Sequence, residues 1–309
     1  MHLGNSAITT ECVVLTAGAA AAGLGAALVA LRRQSPAEGK LLLAAGLGSL
    51  VFAAQAINVP VWPGISAHLV GGVLLAWAAG PALGAITMAL LLGLQAALLG
   101  DGGVAALGAN ILNMALLPAA LVALARCWSN ANVTAAMVAA LSVPLAAALI
   151  VLETAVFRSA GELSGLGSFA ARMIGTHLWI GVLEGGITLA AVAALAWQAQ
   201  RRAGGAWLGV HSLPVSLRIS GACLAIALVL AIAAFPLASS APDGYEAAAQ
   251  SSGRTGLLGE SGAMLQVAAS EHFSLVVATV LTGVLVLAVS QAWLLFAKRT
   301  TAGGTALDA

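Results

Sequence analysis

Long uncharged runs of alanine, leucine, valine and glycine recur along this chain, at 12–31, 41–58, 68–80, 82–99, 104–125, 133–152, 173–197, 219–238 and 274–297. Most approach the roughly 20 residues that carry a helix across a hydrocarbon core of about 30 Å. None alternates apolar and polar residues as a barrel strand does, so each predicts a membrane-spanning α-helix. The third and fourth runs are separated only by the Gly80-Pro81 break, a strong turn signal. The pattern predicts an all-α, polytopic membrane protein with nine spans. No basic residue precedes the first run and no soluble composition follows it, so it does not read as a cleaved signal peptide.

Composition narrows the class further. Of 309 residues, 61% are hydrophobic and 7% are charged, against about 25% charged in a soluble domain. So few charges cannot cover a water-facing surface, and a net charge of +1 offers nucleic acid no basic footprint. The 36 glycines suit close helix contacts in lipid. Cys12, Cys127 and Cys223 lie far apart, giving neither a disulfide framework nor a CxxC metal site.

Lysine and arginine orient the spans, because they accumulate on the cytoplasmic side. With the N-terminus outside, Arg32, Arg33, Lys40, Arg126, Arg201, Arg202, Arg218, Lys298 and Arg299 fall inside, and only Arg158, Arg172 and Arg254 fall outside. The expected topology is therefore N-out, C-in. Residues 1–200 form a seven-helix membrane domain, 201–218 a cytoplasmic linker, and 219–300 an appended two-helix hairpin whose external loop is 239–272. No internal repeat is evident, which disfavours an inverted-repeat secondary transporter.

A few polar residues break this apolar background. Met1-His2 has a particular ligand geometry: the terminal amine, the His2 main-chain nitrogen and the His2 imidazole can close adjacent chelate rings on one ion. Three nitrogens in a plane, with a fourth position open, suit Ni(II) or Cu(II), and Co(II) similarly. His68 ends the Pro- and Gly-broken stretch 59–68, on the same external side, and can supply the fourth nitrogen. His177 and Glu184 lie seven residues apart in the seventh run, about two helical turns, and so share a face. Ionisable groups there are functional candidates, or else hydrogen-bonded helix contacts. Glu153 lies near the external end of the sixth run. Asn110 and Asn113 follow the glycine-rich turn 100–103 and can orient loops or metal-bound imidazoles. The sequence has no GxxxxGK[ST], so ATP hydrolysis would belong to a partner chain.

Together, Met1-His2, the 64–68 segment, Gly100-Asp101-Gly102-Gly103, Leu107-Gly108-Ala109-Asn110 with Asn113, and His177 with Glu184-Gly185 and Thr188 resemble one family. It is the substrate-binding membrane component of cobalt/nickel energy-coupling-factor ABC transporters, the CbiM/NikM family. Residues 239–246, Ser-Ser-Ala-Pro-Asp-Gly-Tyr-Glu, are similar to the small PDGLE-type N component of the same systems, here fused.

The resemblance implies a seven-helix bundle that binds nickel or cobalt as transported substrate, with no permanent cofactor. Its metal ligands would be Met1, His2 and His68, with Ser66, Asn110, Asn113, His177 and Glu184 in supporting or gating positions. It also implies a transmembrane coupling subunit, cytoplasmic ATPase subunits, and the cell membrane of a prokaryote. Two other classes compete. An intramembrane hydrolase would use Ser66 with His68 or His177 as base, although Ser66 lies in Gly64-Ile65-Ser66-Ala67, which is not a GxSG motif. A haem or quinone oxidoreductase would need paired histidines at one depth on facing helices.

Overall fold

A computed structural model describes residues 2–128, 131–159, 161–200, 215–258 and 271–304. Met1, most of the expected linker 201–218 and the segment 259–270 within the expected external loop lie outside the described residues. The helices, in chain order, are α1 (Thr10–Gln34), α2 (Glu38–Gln55), α3 (Gly72–Ala79), α4 (Pro81–Leu94), α5 (Leu107–Ile111), α6 (Leu117–Ala125), α7 (Ala131–Ala155), α8 (Leu166–Gln200), α9 (Val215–Leu237), α10 (Gly244–Ser251) and α11 (Glu271–Gly304).

Local chemistry explains many of the ends. Thr9 caps α1 by accepting the Cys12 N–H, and Arg32 and Arg33 fill its last turn, where they complement the helix dipole. Pro81 opens α4 at a first-turn position, where its missing N–H costs nothing. Asp243 and Glu246 close a reciprocal capping box at the start of α10.

Six described helices are long and apolar enough to cross a membrane: Thr10–Gln34, Pro81–Leu99, Leu107–Ala125, Ala131–Ala155, Leu166–Gln198 and Ser216–Ala233. Two of these contain a π-helical turn, Gln95–Leu99 after α4 and Leu112–Leu116 between α5 and α6. The third apolar run departs from expectation. Only Gly72–Ala79 is helical there, eight residues long, which rises about 12 Å and cannot span the core alone. A second departure is a short antiparallel hairpin, β1 (Val59–Trp62) with β2 (Ile65–Ala67), formed where prolines and Gly64 break the apolar pattern.

The bundle's outer faces carry large exposed apolar side chains, among them Val14, Leu15, Leu124, Val229, Ile232 and Val284, as a lipid-facing surface requires. Its interior carries the polar exceptions. Small residues set close helix contacts: a Cβ at Gly181 or Gly185 of α8 would press on the Ala140 and Ala136 carbonyls of α7. That GxxxG spacing lets the two backbones meet.

Candidate metal centre

The N-terminal segment is built into the bundle before it offers any ligand. Leu3 and Ala7 are fully buried and Ile8 nearly so. Asn110, at the start of the fifth long apolar run, grips the Leu3 peptide from both sides, accepting its N–H at 2.9 Å and donating to its carbonyl at 3.2 Å. Gly103 donates its N–H to the same carbonyl at 2.8 Å. The Asn5 carboxamide accepts the Ala105 N–H at 3.0 Å, and Arg158 donates to the Ala7 carbonyl at 3.0 Å. The glycine turn and Asn110 thus fix the chain immediately after His2.

This brings His2 against His68. Their rings lie nearly parallel, 13° apart in plane, with centroids 5.2 Å apart. An ion about 2 Å from a ring nitrogen lies about 3 Å from the ring centre. Two rings sharing one ion would then have centres about 4.5 Å apart in adjacent positions and about 6 Å apart in opposite ones. The observed separation falls between these limits.

Both imidazoles have defined polar partners. His68 Nδ1 is 2.9 Å from the Leu69 carbonyl; since a carbonyl only accepts, Nδ1 carries the proton and Nε2 keeps its lone pair. Burial pushes the His68 pKa down to about 4, so the ring is neutral at physiological pH. His2 Nδ1 lies 3.0 Å from an Asp101 carboxylate oxygen, while its Nε2 is buried with no hydrogen-bond partner among the described residues. Burial works against the Asp101 charge, but the adjacent His2 outweighs it and holds the carboxyl well below its usual range.

Asp243 reaches the same place from the far end of the sequence. It pairs with Ser66 in a β-bridge. The Ser66 N–H donates to the Pro242 carbonyl at 2.9 Å and the Ser66 hydroxyl to the Ala241 carbonyl at 2.7 Å. Asp243 lines one cavity with His68 and His177, and another with His2, Asp101, Tyr245 and Glu246. Its pKa is lowered: burial opposes ionisation and is outweighed by facing positive charge and by the Glu246 backbone N–H.

The remaining expected residues have distinct partners. His177 Nδ1 is 2.7 Å from the Met173 carbonyl on its own helix, and its imidazole packs against Gly244. Glu184 instead accepts the Val70 and Gly71 N–H groups at 3.0 and 2.7 Å. Their shared helix face does not make them a pair. Asn113 donates to Glu153 at 2.7 Å and does not touch the N-terminal segment through that bond. The single proton of Ser66 is committed to a backbone carbonyl, so the serine is not poised as a nucleophile.

Met1 lies outside the described residues. Among those described, no three His, Cys, Asp or Glu side chains converge as a metal cluster. A centre that takes two nitrogens from the main chain needs only two side chains, and two imidazoles are what the fold juxtaposes. The sequence reading missed Asp101 as the partner of His2, and missed Asp243, Gln55 and Gln95. The amides could have been found as lone polar residues in otherwise apolar runs; Asp243 could not, because only the fold brings it to Ser66.

Fold and site together define a multi-pass helical membrane protein with a histidine-lined cleft at one end of its bundle. The family model for the cobalt uptake substrate-specific transmembrane region matches residues 2–202, and the chain belongs to that family. Relatives agree. A protein of Archaeoglobus fulgidus named as a fused nickel transport protein is 36% identical over 154 residues, 48% of this chain and 51% of that one. A protein of Haloquadratum walsbyi named as a metal transport protein is 36% identical over 140 residues, 45% of this chain and 64% of that one. The matches thus span about half to two-thirds of those relatives' lengths. The crystal structure of a transition metal transporter superposes with a TM-score of 0.57 at 27% identity, covering 65% of this chain and 95% of that one.

Proposed function

We propose that this chain is the substrate-capturing subunit of an ATP-driven uptake transporter for Ni(II) or Co(II). The ion is held at the external face by the Met1 amine, the His2 main-chain nitrogen and imidazole, and the imidazole of His68. The observation that carries this reading is the parallel approach of His2 and His68 at 5.2 Å, with the His68 ring kept neutral by burial. Closing a six-membered chelate ring with the His2 main-chain nitrogen uses Nδ1, so Asp101 must yield that nitrogen to the arriving ion. The four-nitrogen, near-planar set suits Ni(II), and Co(II) similarly. The subunit is non-catalytic, and ATP hydrolysis belongs to cytoplasmic partner subunits joined through a transmembrane coupling subunit.

In this reading residues 1–200 are the seven-helix, N-out binding domain in a prokaryotic cell membrane. Residues 219–300 are a fused PDGLE-type N component with external loop 239–272, whose Pro242 and Asp243 meet Ser66. Its support is the bridge between Asp243 and Ser66.

The test is an N-terminal extension. Adding residues before Met1 should abolish binding of Ni(II) to the purified protein, and His68→Ala should weaken it strongly while leaving helical content intact. Unchanged stoichiometry and absorption spectrum in the extended protein would overturn the chelate. The hydrolase reading predicts no sensitivity to the extension.

A further inference from the structure

The chain immediately after His68 is held by three buried side chains from three different parts of the bundle. Glu184 of α8 takes the N–H groups of Val70 and Gly71, one on each carboxylate oxygen, at 3.0 and 2.7 Å. Gln55 of α2 donates to the Val70 carbonyl at 2.7 Å. Gln95, first residue of the π turn after α4, donates to the Gln55 carboxamide oxygen at 2.7 Å. Exposure is 3% for Glu184, 2% for Gln55 and 1% for Gln95, so water does not compete for these bonds. Buried polar groups of this kind are costly to leave unpaired, and the carboxylate lies beside the N-terminus of α3, whose dipole favours an anion. The placement of π turns at functional positions is itself a recurring pattern.

Neither strand nor helix would otherwise fix this stretch. Residues 68–71 lie between the end of β2 and the first turn of α3, and the Val70 N–H, the Val70 carbonyl and the Gly71 N–H are satisfied by side chains from elsewhere. We infer that Glu184, Gln55 and Gln95 are positioning residues for the His68 imidazole, and that through Glu184 the position of α8 governs how tightly the ion is held. The inference rests on the reading of His68 as a ligand. It extends that reading to the route by which the membrane bundle acts on the site. Helix α8 lies against α7 through Gly181 and Gly185, and Val70 and Gly71 are two and three residues from His68.

The experiment uses the full chain in detergent with Ni(II) alone as probe. It compares wild type, Glu184→Ala, Glu184→Gln, Gln55→Leu and His68→Ala by chelator-competition affinity, the Ni(II) ligand-field absorption band and thermal melting. Supporting partners of metal ligands are worth about 10- to 100-fold in affinity. Glu184→Ala should lose affinity in that range and shift the band. Glu184→Gln should lie between it and wild type, because one acceptor oxygen remains while an NH2 faces the second N–H. Gln55→Leu should lose about tenfold. If these variants melt earlier but bind Ni(II) with wild-type affinity and band, the clamp is structural only and the inference fails. If Glu184→Ala does not fold, Glu184→Gln decides: wild-type affinity and band there overturn the inference. Should His68→Ala itself bind like wild type, the ligand reading falls instead, and the two failures are told apart.

Discussion

Replacing Asn110 with alanine tests how the N-terminal segment is held. The side chain makes two buried hydrogen bonds to one peptide group, accepting the Leu3 N–H at 2.9 Å and donating to the Leu3 carbonyl at 3.2 Å. After truncation Gly103 still serves the carbonyl, so the loss divides into one orphaned donor and one missing bond. An orphaned buried N–H costs about 1–3 kcal/mol and a typical bond nets about 1 kcal/mol, a total of about 2–4 kcal/mol. At 1.4 kcal/mol per factor of ten, the equilibrium between docked and undocked segment shifts by about 30- to 700-fold.

Two measurements read this shift. Amide exchange of the N-terminal peptide, followed by mass spectrometry, reports docking without any ion and should accelerate at Leu3. Ni(II) affinity should fall only as far as the docked state ceases to dominate, because apparent affinity scales with the competent fraction. Ser6→Ala serves as control: the Ser6 hydroxyl has a long, exposed contact of 3.5 Å to Gly256 and should change exchange less than about threefold. Unchanged exchange at Leu3 in Asn110→Ala would refute the tether, whatever the metal affinity does.

Three further outcomes follow from the geometry. Gly103→Ala places a Cβ against the backbone of Gly4 and Asn5; overpacking of about 1–3 kcal/mol should lower the melting temperature and weaken Ni(II) binding in the same titrations. Gly181→Val should destabilise the α7–α8 contact by a similar amount, since a Cβ there already presses on the Ala140 carbonyl, and a melt in detergent measures it. Tyr245 is the chain's single tyrosine, nearly buried, with its hydroxyl donating to the Leu257 carbonyl at 2.8 Å. Burial first, then the nearby Asp243, pushes its pKa up, so difference absorbance at 295 nm should show little phenolate at about pH 11, where a free tyrosine is mostly ionised. Because the folded pKa is the higher one, this group's contribution to stability is intact below about pH 10 and is lost as pH rises further. Ordinary titration near pH 10 in the folded protein would contradict the buried placement.

Much of the architecture was legible because it is local. A run of about 20 apolar residues has few choices in lipid other than a helix, and the long apolar runs do become helices. The proposed Met1-His2 chelate is equally local, since its rings would close within one dipeptide. His68 was legible as a polar residue in a broken apolar segment. The length of α3 was not. Hydropathy runs unbroken through Leu69–Val73 in all but two glycines, yet the helix begins only at Gly72, because Gly71 is left-handed with φ +72° and the Val70 and Gly71 N–H groups are held by Glu184. That hydrogen bond crosses more than a hundred residues, and no pattern within the segment encodes it.

The same limit separates the rest of the site. Helical spacing placed His177 and Glu184 on one face, but a face does not name its neighbours: one meets Gly244 and the other the loop after His68. Ser66 carried a hydroxyl that suggested chemistry until the fold engaged it with Ala241. The sequence by itself determined a membrane helical protein, its few polar exceptions, and the nitrogen-rich terminus. Tertiary structure alone decided which exceptions meet, because the partners of Asn110, Gln55 and Glu184 are chosen by buried hydrogen bonds between distant segments. In a dry interior each such polar group must find a partner, and only the packing of the bundle says which one is within reach.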